Sequence, residues 1–107
     1  MTAKYLIVYS TCPDKTVAQT IARGLISKQL AACVQIGQSI ESVYAWQGEL
    51  CQSQEVPLQI KCLASHYDAI EQMILKHHPY DVPEIIASSI DRGFAPYLQW
   101  IEETSAS

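Results

Sequence analysis

The sequence predicts an α+β fold: an antiparallel sheet of four strands with two helices on one face, in the order β-α-β-β-α-β, and a short closing helix. Three observations predict it. Residues 18–26 and 70–77 each place apolar side chains at helical spacing. Residues 31–63, between them, carry almost no helical pattern but do carry strand-like alternation. Finally, runs rich in β-branched and aromatic residues, "KYLIVYST" and "EIIASSI", lie before the first helix and after the second. No repeat, low-complexity tract or linker interrupts the chain, so residues 1–107 read as one domain.

"KYLIVYST" is expected to be a buried strand, bounded by Cys12-Pro13-Asp14. Asp14 suits the N-cap of the helix that follows, because its carboxylate can accept from an orphan backbone N–H. Ala18, Ile21, Ala22, Leu25 and Ile26 then make an apolar face opposite Gln19, Arg23 and Lys28. "AACVQI" and "SIESVYAW" read as one long strand, bent or bulged at Gly37. Gln47-Gly48 is a hairpin turn. "EVPLQIKCL" returns from it with Val56, Leu58, Ile60 and Cys62 on one face, and Pro57, which cannot donate to a ladder, marks an edge or a bulge. This hairpin between the second and third strands is longer than usual, so Tyr44, Trp46 and Leu50 near its tip need cover from another chain.

Ser65 and Asp68 have the spacing of a capping box for the second helix. Ile70, Met73, Ile74 and His77 form its stripe, which makes His77 a core residue and puts His78 about 100° further round. Pro79 disfavours helical backbone before it, so the helix should end near His77 and leave His78 extended. "PYLQWIEE" closes the chain, with Leu98 and Ile101 inward.

The totals narrow the function. Hydrophobic residues make up 49% of the chain and charged residues only 17%, so part of the apolar surface is expected to meet another subunit. A net charge of −4 argues against a nucleic-acid partner. The N-terminal apolar run, Tyr5 to Tyr9, is too short for a signal peptide, and no run approaches the ~18 residues of a membrane span; a cytoplasmic location is expected. Cys12, Cys33, Cys51 and Cys62 include no CxxC pair and are expected as free thiols. No glycine-rich phosphate loop implies an organic cofactor, and no activated nucleophile implies an enzyme.

Two groups of residues remain as site candidates. His77 and His78 could ligate copper or another divalent metal, since imidazole favours such ions; alternatively they simply finish a helix. Trp46, Lys61 and Glu84, with Tyr44, Glu55 and Tyr80, could line a cleft between subunits, or the charges could be a solvated rim.

Several stretches together resemble the CutA divalent-cation tolerance family: "STCPDK" at 10–15, "LAACVQI" at 30–36, "SVYAWQGEL" at 42–50, Glu55 with "IKC" at 60–62, "HHPYDVPEI" at 77–85 and "YLQWI" at 97–101. The resemblance implies a ferredoxin-like subunit in a cytoplasmic homotrimer, with hairpins packed between subunits as in PII signalling proteins. It also implies binding of copper or other divalent ions, with His77 and His78 as carried-over ligands, and no established reaction. Some members have a cysteine, proposed as a ligand, where Ser10 stands here; Cys12 follows two residues later and, by strand alternation, on the same face. The alternative implied by the resemblance is a PII-like signalling or scaffold trimer that binds a small molecule or partner protein in its clefts.

Overall fold

The computed structural model describes residues 3–107. Strand β1 (Tyr5–Cys12) leads to helix α1 (Lys15–Ser27), and strands β2 (Cys33–Ile36), β3 (Ile40–Trp46) and β4 (Glu49–Leu63) follow. A 3₁₀ turn (Ala64–His66) opens helix α2 (Tyr67–His77), and β5 (Ile85–Ser89) and helix α3 (Ala95–Thr104) complete the order. The fold is the expected ferredoxin-like α+β arrangement. All pairings are antiparallel; the sheet order is β2-β4-β1-β5, and β3 also pairs with β4.

The alternation along β1 and β4 decides which face is the core. Val8 and Cys12 on β1 join Leu58, Ile60 and Cys62 on β4 beneath Ala18, Ile21 and Leu25 of α1 and Ile70 and Ile74 of α2, all fully or almost fully buried. Asp14 caps α1 as expected, accepting from the Val17 N–H at 2.9 Å. Tyr5 and Cys33 lie on the opposite parity, and both meet α3, Tyr5 through Glu102 and Cys33 through Tyr97. Helix α3 therefore covers one end of the second sheet face, where Ile101 is completely buried.

The second strand differs from the expectation of one continuous element. Ile36 faces Leu58 and Ile40 faces Glu55, so three residues (37–39) oppose two (Val56 and Pro57) and split it into β2 and β3. This is a bulge at Gly37. The Gly37 N–H still donates to the Pro57 carbonyl at 2.9 Å, and a Cβ on Gly37 would lie 2.8 Å from the Pro57 ring. Pro57 thus sits at a bulge inside the sheet, where its missing N–H leaves no ladder bond unmade.

β3 and the first half of β4 form the projecting hairpin. Its two-residue turn has Gln47 at φ 52° and Gly48 at φ 80°, the positive values a tight turn of this hand requires. At about 3.3 Å per residue, the 15 residues of β4 extend roughly 50 Å, comparable to the 44 Å long axis of the molecule.

Two helix details correct the sequence reading. Ile26 is exposed, because α1 turns it away from the sheet. Ser65 does not cap α2; it lies within the 3₁₀ turn, and His66 occupies the N-cap position with no side-chain bond there.

Candidate functional site

The histidine pair is arranged opposite to its expected order. His77 ends α2 exposed, while His78 is only 8% exposed. Pro79 explains the exchange. It holds His78 at φ −88°, ψ 132°, which turns the ring off the helical course and back under the sheet end. There His78 Nε2 lies 2.6 Å from the Thr11 carbonyl oxygen, and Nδ1 accepts from the Tyr80 N–H at 3.3 Å. Those two partners fix one tautomer: Nε2–H donates and Nδ1 accepts. The imidazole pins the loop after α2 to the end of β1.

That pin positions Tyr80. Its ring meets the His78 ring edge-on at 4.6 Å, and its hydroxyl lies toward the Glu55 carboxylate. Burial, followed by the charge and hydrogen bond of Glu55, pushes the Tyr80 phenol up to about 12.

Between this loop and the hairpin lies a cleft of about 620 Å³, lined by Thr11, Ser42, Val43, Tyr44, Trp46, Ser53, Glu55, Tyr80, Asp81, Val82 and Glu84. Tyr44 is held in its wall by a 2.7 Å bond to the Ser53 hydroxyl across the strand pair. Of the three residues expected at a cleft between subunits, Trp46 and Glu84 line this cleft within one chain, and Lys61 stands outside it. Lys61 stands beside Cys33 on the sheet and donates to Gln35. Asp81 and Val82 were missed; their position directly after "HHPY" was the available signal.

The same geometry tests how well the histidines suit a metal. Both ring nitrogens of His78 already have partners, and His77 points to solvent. Among the described residues no group of three or more His, Cys, Asp or Glu could hold a metal ion. Burial first, then Asp14 and Glu55, pushes the Cys12 thiol up to about 11, so it remains protonated at neutral pH and is a poor ligand in that form. A single subunit therefore offers no preassembled centre. All four cysteines are free. The buried Ser10 hydroxyl has no hydrogen-bond partner among the described residues. Among the described residues, no helix is long and apolar enough to cross a membrane.

Fold and cleft define a class: a ferredoxin-like domain with an extended hairpin and an aromatic, acidic cleft along it. The family model of the CutA1 divalent ion tolerance protein matches residues 6–104. The chain is 45% identical to the CutA homolog of Xenopus laevis over 87% of its own length and 62% of that protein's. It is 39% identical to the divalent-cation tolerance protein CutA of Thermus thermophilus, over 92% of this chain and 96% of that one. The crystal structure of CutA1 from the psychrotrophic Shewanella sp. SIB1 superposes with a TM-score of 0.97 at 52% identity, covering both chains fully. The chain belongs to the CutA1 divalent ion tolerance family. It spans less than two thirds of the Xenopus relative's length.

Proposed function

We propose that this protein acts in the cellular response to divalent metal ions, as a cytoplasmic homotrimer that binds copper or a similar ion rather than catalysing a reaction. Membership of the divalent ion tolerance family over residues 6–104 carries the reading. The apolar hairpin supports the assembly: Leu50 is 79% exposed, and Val43, Tyr44 and Trp46 are exposed with it on one two-stranded ribbon. His77 is the imidazole open to an incoming ion, whereas His78 would first have to release Thr11 or Tyr80. The test is a competitive Cu(II) titration of wild type and His77→Ala, with assembly followed by sedimentation. The reading expects binding at least about tenfold weaker in a variant that assembles normally. Equal binding would remove His77 from the site.

A second reading, a PII-like trimer that binds a small molecule, is favoured by one observation. The cleft has the volume of an organic ligand, and both Trp46 and Glu84 line it.

A further inference from the structure

One face of β4 carries charges of both signs. By alternation Glu55, Gln59 and Lys61 point away from Leu58, Ile60 and Cys62, which the helices cover. Glu55 stands where the ribbon begins, opposite Ile40, with Tyr44 and Trp46 on the same side. Lys61 stands at the other end of the row, between Cys33 of β2 and Ile7 of β1. Six residues of strand put about 20 Å between the two, farther than a lysine side chain reaches, so they do not meet within one chain.

Each lacks an opposite charge. Glu55 is only 7% exposed, and the Tyr80 hydroxyl lies toward it. A carboxylate buried to that degree is costly unless a cation or several donors meet it. The one ion pair among the described residues joins Lys4 to Glu102, and Lys61 donates to the neutral side chain of Gln35. Within the four-stranded part of the open sheet face, Lys61 is the only charged side chain among the described residues. The other basic groups are placed elsewhere. Lys15, Arg23 and Lys76 ride on the helices, Lys28 ends α1, and Arg92 follows β5.

The homotrimer proposed above covers Tyr44 and Trp46, so the cleft they line takes a wall from the next copy. A closed ring of identical chains sets one patch of each copy against a different patch of its neighbour. Here two such patches are complementary. One is the aromatic start of the ribbon, with Glu55, Asp81 and Glu84 in its cleft; the other is an open sheet face with a single positive group. Like charges at an interface repel, and this match avoids them.

We propose that Lys61 of the partner subunit enters the cleft and is the counter-charge of Glu55. The inference rests on the homotrimer reading and makes the cleft a composite site, with carboxylates from one copy and the basic group from the next. It also returns Lys61 to the company of Trp46 and Glu84, across an interface rather than along one strand.

The test is a double-mutant cycle on the full chain: Glu55→Gln, Lys61→Gln and the two together. Sedimentation over a range of protein concentrations reads assembly, and circular dichroism confirms folding. Assembly should be about tenfold or more weaker in each single variant, and no weaker in the double than in either single. Exchanging the charges, Glu55→Lys with Lys61→Glu, should assemble better than either reversal alone. If Glu55→Gln does not fold, carbodiimide coupling of wild type carries the test. An equal mixture of isotope-labelled and unlabelled chains should then yield a peptide joining Glu55 of one kind to Lys61 of the other. Additive losses, a Lys61→Gln variant that assembles as wild type does, or, in that last case, no such peptide overturn the pairing and leave the homotrimer standing. A wild-type chain that sediments as a monomer overturns both.

Discussion

Strand β4 runs through two regions with opposite needs. In its second half, Leu58, Ile60 and Cys62 are covered by helices of the same chain. In its first half, the ribbon it makes with β3 leaves Leu50, Val43 and Trp46 in the open. Both halves are extended and both are paired in ladders. Hydrogen bonding is thus alike in the two regions, and side-chain burial is what separates them. The chain's own core ends near Val56, and the apolar residues beyond it stand exposed on the ribbon.

Truncations on the two sides of that boundary should behave differently. Ile74→Ala, in the core, is expected to have the largest effect, lowering subunit stability by about 2–5 kcal/mol in urea unfolding. Gly48→Val forces a β-branched residue to φ +80° with no neighbouring atom in the way, so its cost is local strain of about 1–3 kcal/mol. It should weaken assembly, measured by sedimentation, before it unfolds the subunit; an undisturbed oligomer would break the link between ribbon and assembly. Leu50→Ser should change subunit stability by no more than about 0.5 kcal/mol while loosening assembly. A loss as large as that of Ile74→Ala would erase the distinction between the two regions.

The smallest effect belongs to a surface cluster outside both regions. Glu102 receives hydrogen bonds from Lys4 and Tyr5, which hold its carboxyl below the ordinary 4.5. A carboxyl lowered on folding adds stability that is present above pH 4.5 and is lost as pH falls through its folded value. Glu102 likewise raises Lys4 above 10.5, so that contribution is present below pH 10.5 and fades as pH climbs through the folded value. Glu102→Gln should therefore narrow the gap in stability between pH 5 and pH 3, followed by thermal unfolding. An unchanged gap would show that the exposed pair contributes nothing measurable.

Local signals in the sequence were enough for most of the fold. The Asp14 cap, the Gln47-Gly48 turn and the alternation of Val56 through Cys62 each need only a few neighbouring residues to be read. The histidines needed more. Helical spacing puts His77 in the core, and α2 does reach His77; yet the buried ring is that of His78, which Pro79 turns toward the Thr11 carbonyl, 67 positions away. No periodicity reports a carbonyl at that distance. Lys61 was grouped with Trp46 and Glu84 for a related reason: all three read as strand-borne or strand-flanking groups, and only the pairing register separates Lys61, beside Cys33, from Glu55, beside Ile40.

The bulge at Gly37 has an effect well away from itself. Cross-strand partners share a face, so Ile40, Ser42, Tyr44 and Trp46 point the same way as Glu55, Ser53, Cys51 and Glu49. In β2 it is the even-numbered residues, Val34 and Ile36, that share the helix-covered face with Ile60 and Leu58. One extra residue in 37–39 inverts that parity. The Gln47-Gly48 turn fixes the register of β3 on β4, so a strand one residue shorter there would lose the bulge and still present Tyr44 and Trp46 on the face of Glu55. The bulge therefore reconciles two independent registers: Val34 and Ile36 stay under the helices, and the aromatic residues of β3 stay beside Glu55.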